Sequence, residues 1–194
     1  MENKFLAHIA EDGRERTVFE HLAGAASLAA EFSRPFGGEA QGLLAGTAHD
    51  IGKYSAAFQR RLTGDSRRVD HATAGAFECM GRGQPFAAFA VAGHHGGLPD
   101  GGGPEAATFW GRIKRAGRGG LEPYGAWARE VSLPGGQPPL FAKQNPGAGM
   151  FFIRMLYSCL VAADFLDTEA FMSGKPRGSC SGCWKKKAPS IRPL

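Results

Sequence analysis

The chain has 194 residues, which is enough for one domain with a substantial core and too few for two large ones. It has no uninterrupted run of about 18 apolar residues and no signal-peptide segment after Met1, so we predict a cytoplasmic protein with no membrane partner. The net charge of +5 is not a property of the whole chain, because residues 171–194 carry six bases and no acid whereas residues 1–170 carry 17 bases and 18 acids.

Apolar residues recur at helical spacing along most of the chain and predict an all-α fold. In chain order the predicted helices are 17–32, 39–51, 54–62, 69–80, 85–95 and 150–172, with two less regular ones at 106–116 and 124–131. Gly52 is the predicted terminator of the second helix. No hairpin signal stands out. The 29 glycines predict long, irregular connections between the helices.

Histidine and aspartate residues stand at the ends or on the apolar faces of these predicted helices. A histidine followed directly by an aspartate, as at 49–50, presents two metal-ligand side chains about 100° apart on a helix, so both can reach one ion. An acid on the apolar stripe of the last helix, such as Asp164, is costly unless it is paired or bound to a cation. The candidate ligands are His21, His49, Asp50, His71, His94, His95 and Asp164.

Seven nitrogen and oxygen ligands exceed the needs of one structural ion but suit two ions that share a bridging carboxylate. Imidazole and carboxylate together favour manganese, iron, cobalt or nickel over a thiolate-rich zinc site. Cys180 and Cys183 form one Cys-x-x-Cys pair without two further zinc ligands nearby in sequence. Residues 46–53 have the wrong glycine spacing for a phosphate-binding loop, and Tyr54 replaces its Ser or Thr, so no ATP site is predicted.

Each of these residues also has an ordinary structural interpretation. His49 and Asp50 can form an ion pair, His71 can belong to a helix N-terminal pair with Asp70, and two adjacent histidines can lie on the surface. Lys53 can be a solvated lysine at a helix end. The arginines at 60–61, 67–68 and 112–118 can form ordinary solvated faces or a surface that follows phosphates. His8 is assigned a structural role.

The order of these motifs resembles the HD metal-dependent phosphohydrolase superfamily. More narrowly, it resembles the HD nuclease domain of the CRISPR type I interference nuclease-helicase. The resemblance spans residues 5–170 and is specific because its elements occur together in order. Its elements are Glu20-His21-Leu22, Ala48 to Lys53 followed by Phe58-Gln59, Asp70 to Ala76, Gly93 to Leu98, and Ala162 to Glu169.

The resemblance implies a fold and a site. Residues 1–172 would form an HD-domain helical bundle with glycine- and proline-rich connecting loops, and residues 173–194 a basic linker or tail of disorder-prone composition. One ion would be held by His21, His49, Asp50 and Asp164, and the second by His71, His94 and His95, with Asp50 bridging. Magnesium is also compatible with such a site. Lys53 would neutralise charge that develops on the phosphate during in-line attack by an activated water.

The resemblance also implies an activity. The protein would be a metal-dependent nuclease that cleaves single-stranded DNA, endonucleolytically or exonucleolytically, during CRISPR type I interference. Its partners would be a superfamily 2 helicase, fused or separate, and the target-bound CRISPR surveillance complex, with the chain itself a monomer. Two alternatives remain open: an HD phosphohydrolase that acts on a nucleotide, and a catalytically silent docking or nucleic-acid-binding module, which a missing ligand would indicate.

Overall fold

The computed structural model describes residues 4–103 and 107–174. Over these residues the predicted all-α fold is confirmed, since they form seven α-helices and the sheet content is a single two-stranded hairpin. The hairpin consists of β1 (Leu6–Ile9) and β2 (Glu15–Thr17). The helices are α1 (Val18–Ser33), α2 (Glu39–Ala48), α3 (Ala56–Leu62), α4 (Ala72–Gly81), α5 (Pro85–Gly93), α6 (Phe109–Gly117) and α7 (Pro146–Ser173).

The start of α1 has a local cause. Thr17 is the N-cap, its hydroxyl accepts from the Glu20 backbone N–H, and the Glu20 side chain accepts from the Thr17 backbone, which together form a capping box. Small residues then line the buried face of α1 and allow α2 to approach closely. A Cβ placed on Gly42 of α2 would lie 2.4 Å from the Ala29 carbonyl oxygen of α1. The two helices therefore pack almost backbone to backbone.

Helix α7 runs through the core, where it packs against α1, α2 and α5. Its Phe152, Leu156 and Leu160 side chains are fully buried. By length and composition alone α7 is also apolar enough to cross a membrane. Of its most apolar window 33% is buried, where the helix packs against α1, α2 and α5. The window does not show in the sequence as an uninterrupted apolar run because polar residues interrupt it.

The hairpin contradicts the expectation that no such signal exists. Its strands have four and three residues, too short for a visible alternation. Asp12-Gly13 at the turn, with Gly13 at φ 85°, is the dipeptide that would have predicted it. The hairpin carries Arg16 and Thr17 directly into α1, which places His8 of β1 beside the first turn of that helix.

The second predicted helix is shorter than expected and Gly52 is not its terminator. Helix α2 ends at Ala48, and a 3₁₀ helix covers Ile51–Tyr54. Gly52 lies inside the 3₁₀ helix, where a Cβ would stand 2.3 Å from the His71 carbonyl oxygen. Glycine is required there because the segment presses against the residue before α4.

The less regular part of the chain is mostly loop. The predicted helix 124–131 is a 3₁₀ helix over Gly125–Arg129, and a second 3₁₀ helix covers Leu140–Lys143. The helix predicted at 106–116 begins instead at Phe109, where Thr108 caps it. The basic tail, with Cys180 and Cys183, lies outside the described residues from position 175 onward.

Candidate metal centre

Five elements deliver the candidate ligands to one place. His21 stands in the first turn of α1, and the pair at 49–50 follows directly after α2. His71 immediately precedes α4, the pair at 94–95 follows α5, and Asp164 lies within α7. All seven predicted ligand residues are brought together: His21, His49, Asp50, His71, His94, His95 and Asp164.

Four of these residues form an inner group, which consists of His21, His49, Asp50 and Asp164. The Nε2 atom of His21 lies 3.1 Å from His49 Nε2, 3.2 Å from Asp50 Oδ2 and 3.3 Å from Asp164 Oδ1. The side chains of His21, His49 and Asp50 are fully buried, and Asp164 is partly exposed. One ligand atom from each residue lies within 4.8 Å of the others, a separation that one ion can bridge.

The outer group consists of Asp50, His71, His94 and His95. The Nε2 atoms of His71 and His94 each lie 3.4 Å from Asp50 Oδ1, and that of His95 lies 3.9 Å from it. His71 Nε2 and His95 Nε2 are 2.7 Å apart. The His95 side chain is 50% exposed, so this group opens to solvent. Asp50 belongs to both groups and turns one carboxylate oxygen to each.

Hydrogen bonds at the far ring nitrogen orient the imidazoles. The Nδ1 atom of His49 lies 2.8 Å from the Gly46 carbonyl oxygen, and that of His94 lies 2.7 Å from the Val91 carbonyl oxygen. Because a carbonyl oxygen only accepts, each Nδ1 carries a proton, and Nε2 is the ring nitrogen that faces the centre, where it can bind a metal once it carries no proton itself. This is the tautomer and the orientation of a metal-ligating histidine.

Acceptor atoms therefore converge in a buried place with too few donors. Among the described residues, Asp50 Oδ1 and His94 Nε2 are buried and have no hydrogen-bond partner. Burying such atoms is costly unless a cation compensates them. The donor set, with five imidazole nitrogens and two carboxylates, suits a divalent transition metal, and these residues fit a metal ion.

The pKa values of the inner group also show that its buried carboxylates are stabilised by nearby positive charge. Burial disfavours the charged form of His49, but the Asp50 and Asp164 carboxylates outweigh it and raise the pKa of His49 to about 10. Burial likewise opposes the charged form of Asp50, yet Lys53, His49 and His71 hold the pKa of Asp50 well below its usual range. Protons and the Lys53 ammonium thus neutralise the carboxylates, which is the role that a metal ion takes in exchange for protons.

The outer histidines differ in their electrostatic surroundings. Burial and the neighbouring His94 lower the pKa of His95 to about 4. Burial also lowers the pKa of His71, despite the opposing charge of Asp50. Both rings are therefore neutral at physiological pH, which is the form that binds metals.

Lys53 is not a solvated helix-end lysine. Its side chain is 6% exposed and its Nζ lies 2.7 Å from Asp50 Oδ2. The same ammonium lies 5.3 Å from the centroid of the Phe58 ring, and this ring also contacts the His71 ring. Lys53 therefore supplies fixed positive charge inside the centre.

Asp167 is a residue of the centre that the sequence interpretation did not select. It is fully buried, and its Oδ2 lies 3.0 Å from His21 Nδ1. Its place on the apolar stripe, three residues after Asp164, is the signal that could have found it. An acid at that spacing faces the same side of the helix as the predicted ligand.

His8 lies next to the inner group. Its ring meets the His21 ring edge to face at a centroid distance of 4.8 Å, and its Nε2 lies 3.5 Å from Thr168 Oγ1. Burial and the charge of Lys53 lower the pKa of His8 to about 3. The neutral ring packs against His21.

No model of a known protein family matches the chain, and no curated protein matches it either. The fold and the site by themselves define a class: an all-α protein with buried histidine and aspartate groups that could hold a metal ion.

Proposed function

We propose that this protein is a metal-dependent phosphodiesterase of the HD nuclease type, which cleaves single-stranded DNA during CRISPR type I interference. The observation that carries the proposal is Asp50, a buried carboxylate that turns Oδ2 to the inner group and Oδ1 to the outer group. A shared carboxylate between two sets of imidazoles is the arrangement that a two-metal phosphodiesterase needs. The protein would act in the cytoplasm as a monomer, with a fused or separate superfamily 2 helicase and the CRISPR surveillance complex.

The metal content follows from the two groups. The inner and outer groups would each hold one divalent ion, with manganese, iron, cobalt or nickel favoured by the nitrogen-rich ligands and magnesium compatible. When bound, such ions act as Lewis acids and lower the pKa of water. Because the sequence predicts no ATP site in this chain, energy for strand unwinding would come from the helicase.

The chain's own residues contribute to this reaction through a shared ligand, a fixed positive charge and an open side for the substrate. Asp50 connects the two groups, since one of its carboxylate oxygens faces the inner group and the other faces the outer group. Lys53 keeps a positive charge beside Asp50 Oδ2, where it can offset charge on a phosphate. The half-exposed His95 and the partly exposed Asp164 mark the side from which a phosphodiester can reach the centre, since the other ligands are buried or nearly so.

A surface beside the outer group favours a polyanionic strand as substrate. The basic surface, as we name it, consists of exposed residues of α3, the following loop and α6: Arg60, Arg61, Arg67, Arg68, Lys114, Arg115 and Arg118. Phe58 of α3 contacts the His71 ring, and Arg115 of α6 pairs with Asp70 at 2.9 Å, so both elements adjoin the residue before α4. Basic residues in such a position attract phosphates along a strand.

One observation favours a second candidate. The inner group alone has the His, His-Asp and Asp set that an HD phosphohydrolase acting on a nucleotide needs. The outer group and the basic surface have no role in that reaction, which is why we prefer the nuclease. A silent binding module would be expected to lack a ligand, and all seven are present.

The test is cleavage of circular single-stranded DNA by metal-stripped protein with manganese, nickel or magnesium added back. Asp50→Asn keeps the side-chain volume but removes the charge from both groups, and we expect at least a 100-fold loss of cleavage. Asp12→Asn, at an exposed turn, is the matched control and should cleave like the wild type. Because the substrate has no ends, linear products would indicate endonucleolytic cleavage.

Three outcomes would contradict the nuclease. Phosphate release from a nucleotide panel without any DNA cleavage would move the protein to the nucleotide phosphohydrolase. Metal-independent cleavage that survives Asp50→Asn would show that the activity does not come from this centre. Inactivity on both substrates, with the helicase and surveillance complex also supplied, would favour the silent module.

A further inference from the structure

The environment of His21 differs from that of His49, His71 and His94. The Nδ1 atoms of His49, His71 and His94 face neutral main-chain carbonyls. The Nδ1 atom of His21 instead faces a carboxylate, Asp167, at 3.0 Å. Both side chains are fully buried, so solvent does not weaken this contact.

The second carboxylate oxygen of Asp167 is held as well. Arg16 Nη2 lies 2.8 Å from Asp167 Oδ1, and the same nitrogen donates to the Glu20 carbonyl oxygen at 3.2 Å. The guanidinium comes from β2, the carboxylate from α7 and the imidazole from α1. The chain Arg16, Asp167, His21 therefore connects three elements and ends at the Nε2 atom of the inner group.

This arrangement has a chemical consequence. A carboxylate accepts hydrogen bonds and does not donate them, so Asp167 keeps the His21 proton on Nδ1 and leaves the Nε2 lone pair toward Asp50, His49 and Asp164. A negative acceptor also makes the imidazole a stronger electron donor than a neutral carbonyl does. Arg16 keeps Asp167 oriented and charged.

We propose that Asp167 is a positioning residue that sets the metal affinity of the inner group through His21, with Arg16 holding Asp167 in place. The inference rests on the proposed metal centre and does not depend on the substrate. It divides the centre into an inner group in which a carboxylate supports His21 and an outer group in which main-chain carbonyls support His71 and His94. Loss of Asp167 must therefore affect one group and spare the other.

The test measures manganese binding to metal-stripped protein by isothermal titration calorimetry, without DNA. To isolate the inner group, Asp167→Asn is placed in a His71→Ala, His95→Ala background. To isolate the outer group, it is placed in a His49→Ala, Asp164→Ala background, which keeps His21. We expect the affinity of the inner group to fall 10- to 100-fold and that of the outer group to change less than about threefold.

Two companion variants separate positioning from structure. Glu169→Gln removes the same charge from an exposed position on α7 and should leave both affinities unchanged. Arg16→Gln removes the partner of Asp167 at a partly exposed position, and we expect a smaller loss confined to the inner group. It also provides the test if Asp167→Asn does not fold, which far-ultraviolet circular dichroism would show.

Two results would overturn the proposal. One is an unchanged inner-group affinity in folded Asp167→Asn or Arg16→Gln. The other is an equal loss in both groups, which a general structural defect would cause. Failure of the proposed function appears differently: a wild-type protein that binds no manganese would remove the metal centre itself, whereas metal binding without DNA cleavage would remove the nuclease and leave the role of Asp167 standing.

Discussion

Lys53 places a permanent cation among the acceptor atoms of the centre. Its ammonium lies 2.7 Å from Asp50 Oδ2 and is almost wholly buried. A buried carboxylate that loses such a partner is left uncompensated, which costs far more than the loss of an exposed ion pair. In the metal-free protein Lys53 is therefore expected to stabilise the fold, and a bound cation should take over part of that task.

Substituting Lys53→Met should lower the free energy of unfolding by about 3 kcal/mol in metal-stripped protein. The loss should shrink when saturating manganese is present, because the ion then compensates Asp50. Urea unfolding with and without metal measures both values. Arg34→Gln is the control, since its pair with Glu39 is exposed and screened by solvent. An equal loss with and without manganese would contradict the idea that Lys53 and the metal share a role.

The contact between α1 and α2 shows how individual glycines allow two elements to meet. A Cβ on Gly42 would lie 2.4 Å from the Ala29 carbonyl oxygen and 2.8 Å from Ser33 Oγ. Backbone atoms cannot yield to such a contact without moving the helix. This close approach brings the end of α2, with the pair at 49–50, against the first half of α1.

Gly42→Ala should destabilise the protein by about 2 kcal/mol, because α2 must move away from α1. Gly81→Ala is the matched control: it ends α4, and a Cβ there has nothing within 4 Å. Alanine restricts the unfolded chain at no steric cost, so this variant should be neutral or stabilised by up to about 1 kcal/mol. Urea midpoints compare the two. Similar losses at both positions would show that helix propensity, not close packing, governs the effect.

The first turn of α4 depends on Asp70. Its carboxylate accepts from the Thr73 backbone N–H at 3.1 Å and pairs with Arg115 at 2.9 Å and Arg112 at 3.5 Å. Burial alone would raise the pKa of Asp70, but the Thr73 hydrogen bonds and the two arginines outweigh it and hold the pKa below the ordinary value of 3.8. A lowered folded-state pKa stabilises the fold above the ordinary pKa, and that contribution is lost as the pH falls through the folded-state value.

Asp70→Asn should therefore lower the free energy of unfolding by about 1 kcal/mol at neutral pH, a modest value because solvent screens the partly exposed ion pairs. The difference from the wild type should shrink as the pH is lowered below the ordinary pKa. Urea unfolding at a series of pH values measures it. Glu31→Gln, at an exposed position on α1, is the control and should stay within about 0.5 kcal/mol of the wild type. A difference that does not depend on pH would contradict the assigned cause.

At the scale of the whole molecule, one part of the described chain carries an excess of acidic residues and another part carries exposed basic residues. The hairpin, α1 and the turn into α2 hold six acids and four bases between positions 4 and 39. The basic surface on α3, its loop and α6 adjoins the outer group, where His95 is half exposed. A strand that approaches along this surface would reach the open side of the centre.

Neutralising Arg60 and Arg61 to glutamine should weaken binding of a single-stranded oligonucleotide about tenfold at moderate salt. The slope of log affinity against log salt should fall by about 1.4 if both residues contact phosphates. Fluorescence anisotropy with metal-stripped protein measures binding without cleavage. Arg34→Gln with Arg154→Gln removes equal charge from exposed positions on other elements and is the control. An equal effect of both pairs would mean that net charge, not this surface, attracts the strand.

The sequence by itself determined the helical elements and the positions of the candidate ligands on them, because both follow from the spacing of residues a few positions apart. The capping box at Thr17, the buried stripe of α7 and the proline that begins α5 are all local signals. The same locality explains the errors: strands of three or four residues carry too little alternation, and Gly52 imitates a helix terminator although its real neighbour is His71.

The family resemblance implied which ligands share a group, but only the tertiary structure decided which side chains support them. Asp167 lies 146 residues from His21, and Arg16 lies 151 residues from Asp167, so no periodicity joins them. The burial of Lys53 against Asp50 likewise depends on α3 and the residue before α4 closing over it. Local spacing can present a histidine at the end of a helix, but the partner of its second ring nitrogen is set by how distant helices pack.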